Sequence, residues 1–268
     1  MKTKVAVLVI VALVSYGLKR YYADASTDAL SWILAPTAHL AGAVTSVAFA
    51  AVPGEGYFST ERMFLIEKAC AGVNFMIAAF VMVAFALLHR ARSWRESAAV
   101  VVVSLLASYV AAIVVNAVRI VIAMWFAARP MMWTSLTAAE IHRLEGIAVY
   151  FGGLLLLYAL VQRVDRGTAS PPFLLPLACY YLVTLGLPLA NGALRLSSGH
   201  ARDRAFVAHA LIVLLVPPVL LLFVCVGRRL VSRYPRRSVS AGSTLHARCA
   251  GSHAAAAVTR TSVPAPTR

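Results

Sequence analysis

The chain has 268 residues, 61% of them hydrophobic and 13% charged, with a formal net charge of +15. That is too apolar for a soluble domain of this length and places the chain in an all-α class, a polytopic transmembrane helical bundle of about six or seven spans. Of the 25 Lys and Arg, 8 lie from Arg228 onward, where there are no acids; this excess reads as a cytoplasmic anchor near anionic lipid, and no nucleic-acid partner is expected.

The first apolar run, Val5 to Leu18, is fourteen residues long, short of the roughly 20 needed to span. Ala23-Asp24-Ala25 mimics a cleavage site, but the basic pair Lys19-Arg20 before it favours an uncleaved anchor with its Tyr residues at the interface. Equally basic flanks leave the side of the N-terminus open. The second run, Ala29 to Val52, carries Pro36 and His39; it either spans or lays its first half along the interface. Pro53-Gly54-Glu55-Gly56 is a strong turn signal, and the connector Tyr57 to Lys68 alternates enough to form a short hairpin.

Five clearer spans follow, at Val73 to Leu88, Ser97 to Ala127, Gly146 to Val161, Phe173 to Ala190 and Phe206 to Val226. The membrane domain is expected over residues 1–235, and residues 236–268, rich in Ser, Ala, Thr and Arg, read as a disordered cytoplasmic tail. The basic loop His89 to Arg95, the pair Arg163 and Arg166, and the Arg228 to Arg237 cluster follow alternate spans, so the positive-inside rule makes all three cytoplasmic. Cys70, the far end of the long Ser97 to Ala127 run and the Thr134 to Arg143 connector then face outward. Only the loop with Arg195, Arg202 and Arg204 departs from that pattern.

The stretch Glu67 to Phe80 places Cys70 where a polar loop becomes an apolar run. A thiol in the first turn of a helix would meet the positive end of the macrodipole, which favours the thiolate. The other cysteines, Cys179, Cys225 and Cys249, share no metal-ligand spacing with it and read as packing or tail residues. No metal site, nucleotide loop or cofactor is expected.

The 31-residue run Ser97 to Ala127 holds one charge, Arg119. A guanidinium at that depth is either turned toward protein or snorkels to the outer headgroups. Asn116, one turn earlier on the same face, could orient it. His142 stands at the start of the Gly146 to Val161 span. Thiol, guanidinium and imidazole are thus assigned to one membrane face, where they can act as nucleophile, anion stabiliser and proton shuttle in acyl transfer.

With these residues the chain resembles the exosortase and archaeosortase group of multi-pass cysteine transpeptidases. The resemblance rests on Cys70-Ala71-Gly72 opening a membrane helix, Asn116-Ala117-Val118-Arg119-Ile120 near the outer end of a later one, and His142 four residues before Gly146. Cys70 to Phe75 together with Trp32 to Ala38 is similar to the exosortase K branch. The resemblance implies an inner-membrane enzyme with an extracytoplasmic site, in which Cys70, Arg119 and His142 cleave the C-terminal sorting signal of a secreted protein and pass the acyl group to an acceptor or water. The implied substrate carries a motif, a membrane span and a basic tip. Asn116, Asn74 and Gly72 are supporting candidates. Many relatives have Ser where this chain has Ala71, and Glu67 is assigned no role. Arg195, His200, Arg202 and Arg204 read as a solvated loop before they read as substrate contacts, with His200 and His209 as alternative bases. The competing readings are a small transporter whose Arg119 binds an anion, and a non-catalytic subunit of an export or polysaccharide system.

Overall fold

The computed structural model describes residues 2–128, 138–164, 174–186 and 210–223. The expectations for Cys225, Cys249, His200, His209, the arginines at 195, 202 and 204, and the tail 236–268 lie outside these residues.

The first apolar run forms a helix longer than itself. α1 (Lys2–Asp24) has 23 residues, about 35 Å, because the flanking lysines and tyrosines are helical too. That length exceeds the roughly 30 Å of a hydrocarbon core.

The second run does not cross as one helix. α2 (Ser31–Thr45) has 15 residues, about 22 Å, and Ser46 ends it with a left-handed φ of 56°. Pro36 inside α2 has no N–H to offer the carbonyl of Trp32. The Tyr109 hydroxyl donates to that carbonyl at 2.7 Å, and the Trp32 and Tyr109 rings stack with centroids 5.7 Å apart. A resemblance motif therefore packs against a later helix.

The expected hairpin is a three-stranded antiparallel sheet in the order β1-β2-β3, with β1 (Ala50–Val52), β2 (Gly56–Ser59) and β3 (Phe64–Ile66). Ala51 faces Tyr57 and Phe58 faces Leu65. Asp28 secures the first turn, its two carboxylate oxygens accepting the Gly54 N–H at 2.9 and 3.0 Å. β1 was hidden in the sequence because Ala-Ala-Val reads as the tail of an apolar run.

α3 (Val73–Leu87) buries 12 of its 15 residues, which makes it the central helix. α4 (Trp94–Ala127) starts at a capping box: the Ser93 hydroxyl accepts the Glu96 N–H, and the Glu96 carboxylate accepts the Ser93 N–H. Its 34 residues extend about 51 Å. Ser97, Ser104, Ser108, Ala112 and Asn116 lie on its buried face, while Val102, Leu106, Val110, Val114 and Val118 are exposed on the other. Small residues inward and branched aliphatics outward suit a helix with lipid on one side.

α5 (Ala138–Val164) begins well before Gly146, so His142 lies inside the helix and not ahead of it. α6 (Leu175–Tyr181) continues into a π-helical turn at Leu182–Gly186, and the Tyr181 hydroxyl donates to Leu214 of α7 (Ala210–Phe223) at 2.9 Å. Among the described residues, four helices are long and apolar enough to cross a membrane; α6 with its π turn and α7 are apolar but shorter. The protein is a multi-pass membrane helical bundle.

Two contacts orient α1. Thr3 donates to the Ala91 carbonyl at one end, and Lys19 Nζ donates to Asn74 Oδ1 at the other, 2.7 Å away. α1 therefore runs antiparallel to α3, with its N-terminus beside the basic loop His89 to Arg95. α5 likewise runs antiparallel to α4, since Gly146 faces Arg119 and Gly153 faces Val115. Lys2, Lys4 and the His89 to Arg95 loop lie at one end; Cys70, Arg119 and His142 gather at the other, and Arg163 lies toward the opposite end of α5 from His142.

Candidate active site

Cys70 closes a single 3-10 turn, Lys68–Cys70, and α3 starts only at Val73. The half-buried thiol thus sits just ahead of the helix N-terminus, not in its first turn as the sequence suggested. The turn is well fixed. Cys70 N–H donates to the Glu67 carbonyl at 2.8 Å and Ala71 N–H to the Lys68 carbonyl at 3.0 Å. Lys68 Nζ donates to the Ala23 and Ala25 carbonyls at 3.1 and 2.7 Å and lies 5.4 Å from the centre of the Tyr22 ring. A cation on the last carbonyls of α1 both caps that helix and pins the nucleophile's turn to it.

Gly72 separates the turn from α3 in a left-handed conformation, φ +66°. A Cβ there would stand 3.3 Å from Asn116 Cγ. Glycine is thus required both for the backbone and for the approach of α4. Asn116 is fully buried and its side-chain amide donates to the Cys70 carbonyl.

From Asn116 the polar contacts continue without a gap. Its Oδ1 accepts the Tyr150 hydroxyl at 2.9 Å, and Arg119 Nη1 donates to the Tyr150 oxygen at 3.1 Å. Arg119 Nη2 lies 2.9 Å from His142 Nε2, and His142 Nδ1 lies 3.4 Å from Glu145 Oε2. Arg119 has only donors, so His142 accepts at Nε2 and carries its proton on Nδ1, toward Glu145. The Cys70 thiol is within electrostatic reach of the Arg119 guanidinium.

α5 makes this possible by what it lacks. His142, Gly146, Tyr150 and Gly153 share one face at helical spacing. A Cβ on Gly146 would stand 3.1 Å from Arg119 Nε, and one on Gly153 only 2.7 Å from a Val115 methyl. Bare backbone at both points lets Arg119 lie flat across α5. The Phe75 ring of α3 backs Tyr150, with centroids 5.5 Å apart.

The structure therefore brings Cys70, Arg119, His142, Asn116 and Gly72 together. Asn116, the residue expected to orient Arg119, bears on it through Tyr150. Asn74 is not part of the cluster; it is exposed and accepts from Lys19 on α1. Cys179 is 4% exposed, as expected of a packing residue. Sequence reasoning missed Tyr150 and Glu145, although both follow His142 at helical spacing. Among the described residues no group of His, Cys, Asp and Glu could hold a metal ion.

A family model described as transmembrane exosortase (Exosortase_EpsH) matches residues 4–160, a stretch that contains every member of the cluster. The chain belongs to the transmembrane exosortase family. No curated protein and no solved structure matches it significantly. The matched region of this exosortase runs from α1 nearly to the end of α5, so the site lies wholly within the family's part of the chain. Ala71, where the resemblance leads one to expect Ser, has its side chain fully buried and its N–H engaged in the turn.

Proposed function

We propose that this exosortase is a membrane cysteine transpeptidase of the exosortase K branch that processes secreted proteins at a C-terminal sorting signal. The observation that carries the reading is the unbroken line of contacts from the Cys70 carbonyl through Asn116, Tyr150 and Arg119 to His142, contributed by three separate parts of the chain. Residues that far apart in sequence converge at the end of the bundle remote from the basic loops. The positive-inside rule supports reading that end as extracytoplasmic, and the exosortase resemblance implies the inner membrane.

In the proposed reaction His142 Nε2 parts from Arg119 as substrate enters and takes the Cys70 thiol proton, and the thiolate attacks a peptide carbonyl and forms a carbon–sulfur bond. Arg119 steadies the oxyanion that develops on the carbonyl oxygen. The carbon–nitrogen bond then breaks, and His142 gives its proton to the departing amine. The thioacyl-enzyme is resolved when an acceptor, an amine, a hydroxyl group or water, surrenders a proton to His142 and attacks the thioester carbon; the carbon–sulfur bond then breaks and His142 returns the proton to the Cys70 thiolate. Because the Cys70 and Ala71 N–H groups are already engaged, the oxyanion is left to Arg119 and the N–H groups from Gly72 onward. The substrate's own membrane span lies against the bundle and presents its motif to the site, with its basic tip at the cytoplasmic end.

The test is a reporter ending in a sorting motif, an apolar span and a basic tip, co-expressed with the enzyme. Wild type should accumulate a hydroxylamine-sensitive adduct on Cys70, and Cys70→Ala should abolish both adduct and processing at unchanged membrane abundance. Processing that survives Cys70→Ala would refute the proposal.

A further inference from the structure

Glu145 is an acid at the mouth of the cluster that the transpeptidase reading above leaves without a role. It is 7% exposed, and neither carboxylate oxygen holds a hydrogen bond. Leaving a carboxylate in that state is costly unless a charged or donor group faces it. What faces it is His142 Nδ1, 3.4 Å from Oε2, on the same helix at i and i+3. The imidazole is itself half exposed, its side chain 49% accessible.

The opposite ring nitrogen is engaged by Arg119, which fixes the proton on the side of Glu145. An imidazole between a donor-only guanidinium and a carboxylate has one tautomer available, with the proton on Nδ1 and the lone pair on Nε2. A carboxylate on the Nδ1 side also steadies the cation that forms when Nε2 takes up a proton.

We infer that Glu145 is the positioning residue for His142: it holds the imidazole in the Nδ1–H tautomer, so that Nε2 carries protons once it has parted from Arg119, and it stabilises the imidazolium that exists within each half-reaction. This rests on the transpeptidase reading for its purpose but not for its geometry. The charged groups that bear on the ring are Arg119 from α4, at Nε2, and Glu145 from α5, at Nδ1; the Tyr150 hydroxyl meets the other arm of Arg119.

Two readouts on Glu145→Gln and Glu145→Asp test it. The first needs no substrate: carbethoxylation of His142 by diethyl pyrocarbonate, which attacks only unprotonated imidazole, followed by peptide mass spectrometry as a pH profile from about 5.5 to 8. Removing the carboxylate should favour the neutral ring and speed modification in Glu145→Gln roughly three- to tenfold, a change on the scale of losing one nearby opposite charge. Glu145→Asp should stay near wild type. The second is steady-state processing of the sorting-signal reporter per folded enzyme. Here kcat should fall about 10- to 100-fold in Glu145→Gln with KM within about threefold, the size of effect seen when the group orienting a functional histidine is removed, and Glu145→Asp should recover part of it. A purely structural role would reduce the amount of folded enzyme and leave both constants unchanged. Equal carbethoxylation in wild type and Glu145→Gln overturns the inference whatever the processing shows, as does a kcat within about twofold of wild type. A wild type whose His142 responds to Glu145→Gln as expected, yet which processes nothing, refutes the peptidase reading alone.

Discussion

Three glycines on α5 allow stability and site geometry to be separated. Replacing an interior helical glycine with alanine gains about 0.8–1 kcal/mol of propensity. At Gly152 a new Cβ meets nothing within 4 Å, so that gain should appear in full. At Gly146 the Cβ would lie 3.1 Å from Arg119 Nε and 3.6 Å from Cζ and Nη2. Relieving that contact moves the guanidinium by a few tenths of an ångström and stretches its 2.9 Å and 3.1 Å bonds to His142 and Tyr150. Weakening one such charged bond by half costs about 1 kcal/mol, which nearly cancels the propensity gain. The site itself should lose about tenfold in rate, since a full 1 Å misplacement can cost about a hundredfold. At Gly153 the Cβ would fall 2.7 and 2.8 Å from the Val115 methyls and 3.3 Å from Phe75, which must spread α4 from α5 at roughly 1–3 kcal/mol. The expected order of thermal survival in detergent is Gly152→Ala, then wild type with Gly146→Ala, then Gly153→Ala. Processing per folded molecule should be unchanged in Gly152→Ala and about tenfold lower in Gly146→Ala. If Gly146→Ala processed the reporter as fast as Gly152→Ala, the seating of Arg119 against α5 would be irrelevant to turnover.

Three further outcomes follow from the same geometry. Arg119→Lys should lose about a hundredfold or more in processing, because a point charge cannot reach Tyr150 and His142 at once as the planar fork does; near-normal turnover would demote Arg119 to an interface anchor. Tyr150→Phe keeps the ring against Phe75 but leaves Asn116 Oδ1 and one arm of Arg119 without a partner, at about 1–3 kcal/mol; a thermal midpoint and processing rate both equal to wild type would refute the bridging role. A membrane-impermeant maleimide applied to intact cells should label half-buried Cys70 well before Cys179, and equal sluggishness of the two would argue against the extracytoplasmic placement of the site.

Much of this site was legible because its members are rare residue types in apolar surroundings. Arg119 interrupts a run that lipid would otherwise keep uniform, so the cost of placing it there is itself the signal, while Cys70 and His142 stand where polar connectors give way to apolar runs. Tyr150 and Glu145 carried no such signal. A tyrosine within an apolar run reads as core or interface, and Glu145, two residues from Arg143 in a polar helical start, reads as solvated. Their shared face with His142 becomes informative only once α5 is known to begin at Ala138 and not at Gly146. Asn74 fails for the complementary reason. Counting i and i+4 from Cys70 would place it with the nucleophile, but helical spacing holds only along an unbroken helix, and Gly72 breaks it with a left-handed residue. Beyond that break α3 has its own phase, which turns Asn74 to Lys19 on α1.

The setting of Arg119 bears on whether it is an anchor or a working group. Counting from Ser97, about 20 residues of helix already cross the hydrocarbon, which places Asn116 near the far boundary and Arg119 one turn beyond it. From there a long side chain could rotate outward and be hydrated on every nitrogen. Instead it is folded against α5 with Nε buried and lacking a hydrogen bond, a state that costs about 1–3 kcal/mol. An anchor gains nothing by accepting that cost. The inward conformation is held by contacts that only α5 supplies, namely the Tyr150 hydroxyl, the His142 nitrogen and the bare backbone at Gly146, with the Glu145 carboxylate behind the imidazole. Each of these would be superfluous to a snorkelling arginine, and together they fix the direction in which its free N–H groups point.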